Sequence, residues 1–247
     1  MCEKNSDRKP LIHCITNPIA MNQSANAVLA IGGRPVMAEH PKEVSEITET
    51  ADALLLNFGH ISDIKIQSMK ISIKAANKKG IPVVVDVCGC ACSKLRLDFF
   101  KELMDEGSAD VLKGNYSEIL ALFDQSYKGS GVDADDSLDQ NRVETAAKYL
   151  AEQYDSMVLA TGKADILAKN NGDISHIKEG DPQMASVTGT GCMLGAIIAT
   201  ALALDNSQDS VEKAVSFFGK CGEKARTDKG SGTFMVNLLD ALSTEWK

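Results

Sequence analysis

The sequence predicts an α/β fold, a mostly parallel central sheet with helices on both faces. Three observations carry the prediction. Four short apolar runs read as buried parallel strands: 53–57 (ALLLN), 82–86 (PVVVD), 110–113 (DVLK) and 157–161 (MVLAT). Segments of helical periodicity separate them, and this alternation calls for right-handed crossovers and a sheet covered on both sides. Beyond Thr161 the pattern changes to a hairpin signal and three further helical stretches.

In order, the first strand ends on Asn57. The segment 62–79 places Ile64, Met69, Ile73 and Ala76 near one helix face, and the Lys-Lys-Gly that closes it is a helix stop. The second strand ends on Asp86, and 95–104 repeats the helical pattern. The third ends on Lys113, with Asn115 just beyond. Residues 142–154 form another amphipathic helix, and the fourth strand ends on Thr161 and Gly162. In DILAKNNGDISHI (165–177), two β-like runs flank Asn-Asn-Gly-Asp, a hairpin. Helices are expected over 190–204, 210–229 and 232–244. The polar, Gly- and Asp-rich stretch 124–140 reads as a surface loop. With no internal repeat and no linker, one domain over 1–247 is expected.

The chain has 247 residues, 44% of them hydrophobic and 24% charged, with a formal net charge of −8. That composition is globular, and the acidic balance argues against nucleic acid or an anionic membrane as the main partner. No run approaches the roughly 18 apolar residues of a membrane span. The polar start MCEKNSDRKP is not a secretory signal, so a cytoplasmic location with reduced thiols is expected. Seven cysteines, an odd number, fit that setting. Cys88, Cys90 and Cys92 are spaced C-x-C-x-C with no matching second pair, unlike a zinc knuckle, and read better as small residues in a tight loop.

Ligands of open α/β sheets sit beyond the carboxyl ends of the strands. Asn57, Asp86, Lys113, Asn115, Thr161 and Gly162 therefore converge on one rim. The stretch SVTGTGC (186–192) belongs there too. Its Gly189-Thr190-Gly191 turn runs into an apolar helix, and unpaired N–H groups at a helix start hold anions. Two of the three turn residues lack a Cβ, so backbone can approach a ligand closely. A thiol, Cys192, stands where phosphate chemistry usually places a carboxylate base. Plainer readings exist for each residue. The turn alone would let a helix pack closely. Asp86 would cap the next turn, and Glu118 would sit in the first turn of a helix capped by Asn115. Lys113 would pair with a carboxylate or reach solvent, and Met37 would be core.

Five motifs, HCITN (13–17), PVMA (35–38), KGNYSEI (113–119), ATG (160–162) and VTGTGC (187–192), occur in the order found in the hydroxyethylthiazole kinase family, which the chain resembles from about residue 11 onward. The resemblance implies a ribokinase-like three-layer sandwich. It also implies transfer of the ATP γ-phosphoryl group to the hydroxyl of 4-methyl-5-(2-hydroxyethyl)thiazole, in thiamine biosynthesis and salvage, by a homotrimer with its thiazole site near a subunit boundary. Carried over residue by residue, Gly189, Thr190 and Gly191 match the anion-hole turn, and Cys192 the position facing the substrate hydroxyl. Met37 and Gly189 match thiazole contacts, and Asn17 is assigned to the substrate rim. Lys113 and Thr161, with Gly162, fall where ATP phosphates are held. Asp86 and Glu118 match the acidic pair that works through Mg²⁺ and its waters.

Two departures stand out. Lys113 replaces the family's usual Arg, keeping the charge but losing the planar fork. Asp-Val-Cys-Gly replaces Asp-Pro-Val-Gly, so the loop loses a fixed φ and regains an N–H donor. A helix start lowers a thiol pKa, nearby phosphates raise it, and Cys192 is expected to assist modestly, by orienting the hydroxyl or by taking its proton late. Two other readings stay open: a same-fold enzyme for another small alcohol or a hydro-lyase, and an ATP-binding regulatory protein without turnover. No G-x-G-x-x-G follows an early strand, which argues against a Rossmann dehydrogenase.

Overall fold

In the computed structural model, which describes residues 9–124, 126–127 and 139–246, every strand joins one eight-stranded sheet. The chain enters through β1 (Leu11–Ile15), α1 (Met21–Ala30), β2 (Arg34–Val36) and α2 (Val44–Thr50). It continues through β3 (Ala53–Asn57), α3 (Asp63–Lys79), β4 (Val83–Asp86), α4 (Lys94–Glu106), β5 (Val111–Asn115), α5 (Tyr116–Phe123), α6 (Gln140–Tyr154) and β6 (Met157–Thr161). The hairpin β7 (Asp165–Ala168) and β8 (Ile174–Ile177), a 3₁₀ turn at Pro182–Ser186, and α7 (Thr190–Leu204), α8 (Gln208–Ala225) and α9 (Ser231–Glu245) complete it. The strand order is β2-β1-β3-β4-β5-β6-β7-β8. The first six strands are parallel, and the hairpin extends the sheet antiparallel from β6.

Successive residues of a strand point to opposite faces, and the core divides accordingly. Leu54 and Leu56 of β3 join one cluster with Met69 and Ile73 of α3, Phe99 of α4 and Leu150 of α6. Leu55 joins the other with Val28 of α1, Ile197 of α7, Phe218 of α8 and Leu238 of α9. Helices thus cover both faces, as the alternation required, and the four predicted strands appear as β3 to β6.

Some expectations need correcting. On α3, Met69, Ile73 and Ala76 are buried, but Ile64 is 55% exposed and Lys65 is buried in its place. Stepping back from Met69 by three or four residues reaches 66 or 65, not 64, so Ile64 lies off the stripe. Helix α8 ends at Ala225, earlier than the predicted 229. The strands β1 and β2 were absent from the predicted set, because His and Arg interrupt their apolar character. The surface loop predicted at 124–140 lies mostly outside the described residues, as does Cys2. Among the described residues no helix is long and apolar enough to cross a membrane.

Candidate active site

The strand register builds the rim. Asn57, Asp86 and Lys113 stand side by side across β3, β4 and β5, and Asn115 pairs with Thr161 across β5 and β6. Asp86 and Lys113 are both buried, with Lys113 Nζ 3.1 Å from Asp86 Oδ2. Burial alone would favour loss of the ammonium proton. The negative groups around it, Asp86 first among them, together outweigh burial and hold the Lys113 pKa above its ordinary range.

Helix α7 opens above this pair. Its N-cap, Gly189, has φ +94° and provides no side-chain cap. That φ suits glycine, and the first-turn N–H groups keep their positive end of the helix dipole. The Thr190 hydroxyl donates back to Met184 O at 2.9 Å, so Thr190 offers the site its backbone. A Cβ placed on Gly191 would lie 3.7 Å from Lys113 Nζ, and one on Gly195 would lie 3.6 Å from Asp86 Oδ2. The ammonium and the helix start therefore address the same space.

Cys192 is held by two carboxamides. Asn17 Nδ2 donates to its Sγ at 3.2 Å and Asn57 Nδ2 at 3.4 Å. Asn17 Nδ2 also donates to Asn57 Oδ1 at 3.0 Å, while the backbone N–H groups of Ala20 and Gly59 fix the two amide oxygens. Because the oxygens accept from N–H groups, the amide nitrogens must face the sulfur. The thiol does not follow the expected helix-start lowering. Burial, then the Asp86 charge, raises its pKa, and Lys113 and the two amides offset only part of this. At neutral pH Cys192 is a thiol.

Glu118 lies at the start of α5 in a reciprocal capping box with Asn115. Its Oε1 accepts from Gly89 N at 2.6 Å and its Oε2 from Asn115 N at 2.7 Å. Burial, then Asp86, nevertheless pushes its pKa up to about 7. Burial likewise raises Asp165, which accepts from Gly162 N at 3.0 Å, to about 6. Both carboxyls keep their protons to higher pH in the folded chain than in the unfolded one. The folded state therefore binds more protons between about pH 4 and pH 7, and stability falls as pH rises through that window. The Glu118 share is about 3 kcal/mol. Melting temperature in EDTA is expected to drop from pH 5 to pH 8, with a shallower drop in Glu118→Gln. A flat profile for the unaltered protein would contradict this assignment.

The remaining predicted residues are less centrally placed. Thr161 Oγ1 donates to Gly114 O at 3.3 Å, at the end of β6. Met37 is half-buried against the core cluster of Ala27 and Met193, on the α1–α7 side of the sheet. Cys90 is buried, Cys88 half-buried and Cys92 exposed, and among the described residues no His, Cys, Asp and Glu group of three or more is arranged around a metal position. The sequence reading missed Arg96, which donates to Cys88 O at 3.0 Å and to Gly59 O at 3.1 Å, tying together the loops after β3 and β4. One signal was available: Arg96 is a cation in the first turn of α4, where the helix dipole disfavours it.

Residues 3–245 match the profile of the hydroxyethylthiazole kinase family. Hydroxyethylthiazole kinase 1 of Clostridium botulinum (strain Loch Maree / Type A3) is 43% identical over 241 residues, which span 95% of this chain and 90% of that protein. The solved hydroxyethylthiazole kinase of Pyrococcus horikoshii OT3 superposes with a TM-score of 0.86 at 32% identity, covering 96% of this chain and 88% of that one. A ribokinase-like superfamily protein of Enterococcus faecalis V583 shares the fold alone, with a TM-score of 0.70 at 15% identity, covering 99% of this chain and 90% of that one. With its fold, its VTGTGC turn and near-complete coverage in agreement, the chain belongs to the hydroxyethylthiazole kinase family.

Proposed function

We propose that this chain is one kinase domain that transfers the γ-phosphoryl group of ATP to the hydroxyl of 4-methyl-5-(2-hydroxyethyl)thiazole. The observation that carries the reading is the convergence of the uncapped α7 start, the Lys113 ammonium and the Cys192 thiol on one space. Phosphoryl transfer asks the protein for positioning and for charge neutralisation on the phosphoryl oxygens. The N–H groups of Gly191 and Cys192 and the Lys113 ammonium supply the charge. Asn17 and Met37 flank the acceptor alcohol, with Gly189 at the turn. Thr161 and Gly162 hold the ATP phosphates from the β6 end.

Asp86 and Glu118 suit Mg²⁺. Each Glu118 oxygen accepts one N–H and keeps a second lone pair, which fits an ion reached through water rather than a direct ligand. When bound, Mg²⁺ supplies charge neutralisation on the ATP phosphates. The alcohol forms the new O–P bond, ADP leaves, and the hydroxyl proton passes late to a phosphoryl oxygen or solvent. Cys192, a neutral thiol, orients the hydroxyl. Cys192→Ala is therefore expected to lower kcat roughly tenfold while leaving turnover measurable. Complete loss of turnover in a folded, ATP-binding variant would make the thiol an essential base.

Assembly as a homotrimer with the site near a subunit boundary, in the cytoplasm, completes the reading. Its support is the exposed apolar Ile19, two residues from Asn17, together with Leu29 on α1. The deciding experiment is ADP release from Mg·ATP with and without the thiazole alcohol, with product mass checked for one added phosphate. Thiazole-independent or absent turnover, with ATP still bound, would turn the assignment toward another alcohol or a silent ATP binder.

A further inference from the structure

Helix α3 buries two stripes. Met69, Ile73 and Ala76 pack in the apolar core, while Lys65, Ser68 and Ser72 are buried beside them although polar. Lys65 is 3% exposed. Its ammonium donates to Thr16 O at 2.5 Å and lies 3.4 Å from Glu39 Oε2. Around it, Ser68 Oγ donates to Glu39 O at 2.7 Å, and His13 Nε2 donates to Ala38 O at 2.9 Å. Two segments of the rim, Thr16–Asn17 and Ala38–Glu39, are thus tied to α3 and β1 by buried polar groups.

We propose that Lys65 is a positioning residue for Cys192: by gripping the Thr16 carbonyl and the Glu39 carboxylate, it sets the turn that presents the Asn17 amide to the sulfur. A buried ammonium forfeits its hydration, and an apolar side chain of similar length would fill the space without that loss. A backbone carbonyl and one partly exposed carboxylate repay only part of it. What the charge adds is placement, through a charge-assisted hydrogen bond to a main-chain atom one residue before Asn17. Asn17 cannot set its own position, because its amide oxygen is anchored to Ala20 N within the same turn. If that turn moves, the amide moves with it and leaves the sulfur.

The test is a double-mutant cycle of Lys65→Met and Asn17→Ala in the full chain. Two readouts are used: kcat with KM for ATP, and the rate at which iodoacetamide alkylates Cys192 at fixed pH, followed on its peptide by mass. The kinetic readout rests on the kinase reading above; the alkylation readout does not. Lys65→Met is expected to lower kcat about tenfold with KM for ATP within about twofold, since misplacement near the reacting atoms is felt mainly in the transition state. It is expected to slow alkylation about threefold, as loss of an amide donor leaves less thiolate. In the Asn17→Ala background neither effect should add. Lys65→Arg, which keeps charge and donors, should restore at least half of kcat. Full additivity, or alkylation at the unaltered rate in Lys65→Met, would overturn the proposal. If Lys65→Met does not fold, Lys65→Gln is read against the same outcomes. If the unaltered enzyme shows no thiazole turnover, the kinase reading fails and the alkylation cycle still decides the role of Lys65.

Discussion

Lys113→Met is expected to lower kcat by about a thousandfold and to destabilise the protein by about 3 kcal/mol. The catalytic loss follows from the place of the ammonium. It lies beneath the first turn of α7, where a phosphoryl group docked on the helix N–H groups would meet it. A cation at such a position is worth about three to five powers of ten in phosphoryl transfer. The stability loss follows from the partner. Asp86 is 2% exposed and would be left as a buried charge with its cation gone. Asp86→Asn with Lys113→Met should therefore regain stability over Lys113→Met alone while staying inactive. Lys113→Arg, the family's usual residue, keeps the charge and should retain turnover within about tenfold, limited by how well a longer side chain fits a filled site. Steady-state kinetics and thermal melts decide each point. A Lys113→Met enzyme with more than about a tenth of normal kcat would place the neutralising charge on the helix start alone.

Gly162→Ala is expected to lower the melting temperature by about 4–8 °C, which corresponds to about 2 kcal/mol for a chain of this size. A Cβ on Gly162 would lie 2.6–2.9 Å from three atoms of the Tyr116 ring. Tyr116 is almost fully buried, and its hydroxyl donates to Ala164 O, so the ring has no open side to turn to. The clash also pushes on Asn115 and Glu118, which flank Tyr116 at the start of α5, and on the Gly162 N–H bonded to Asp165. KM for ATP should rise about tenfold while kcat changes less, since the disturbed groups lie at the end of the site proposed to take ATP. Tyr116→Leu in the same chain removes the atoms that the Cβ would meet and should recover part of the melting temperature. An unchanged melting temperature in Gly162→Ala would mean that β6 and α5 shift apart without strain.

The central strands were legible because they are buried on both faces. ALLLN, PVVVD and MVLAT are continuous apolar runs, and local composition reports that burial directly. The edge strand β2 and its neighbour β1 gave no such run, since Arg34 faces outward and His13 is buried through bonds to Thr48 and Ala38. The rim was legible in part. Asn57, Asp86, Lys113 and Thr161 each end a predicted strand, and parallel pairing aligns strand ends. The Asn17 amide on Cys192 was not legible, because the two residues are 175 positions apart. Ile64 was placed on the buried face of α3 where Lys65 stands: an apolar side chain beside the stripe outweighed a helical spacing that points to position 65.

By itself the sequence determined the alternation of strand and helix, the Gly-Thr-Gly turn before α7, the carboxyl-end rim and the family. Those are properties of neighbouring residues: period, turn chemistry and motif order. Only the tertiary structure decided the electrostatic state of the site. The helix start at Cys192 argued for a lowered pKa, yet burial and Asp86 raise it. Burial also turns Glu118 into a carboxyl that titrates near 7. Desolvation depends on which groups surround a side chain from every direction, and those neighbours arrive from the turn after β1, from β3, β4 and β5, and from α7 together.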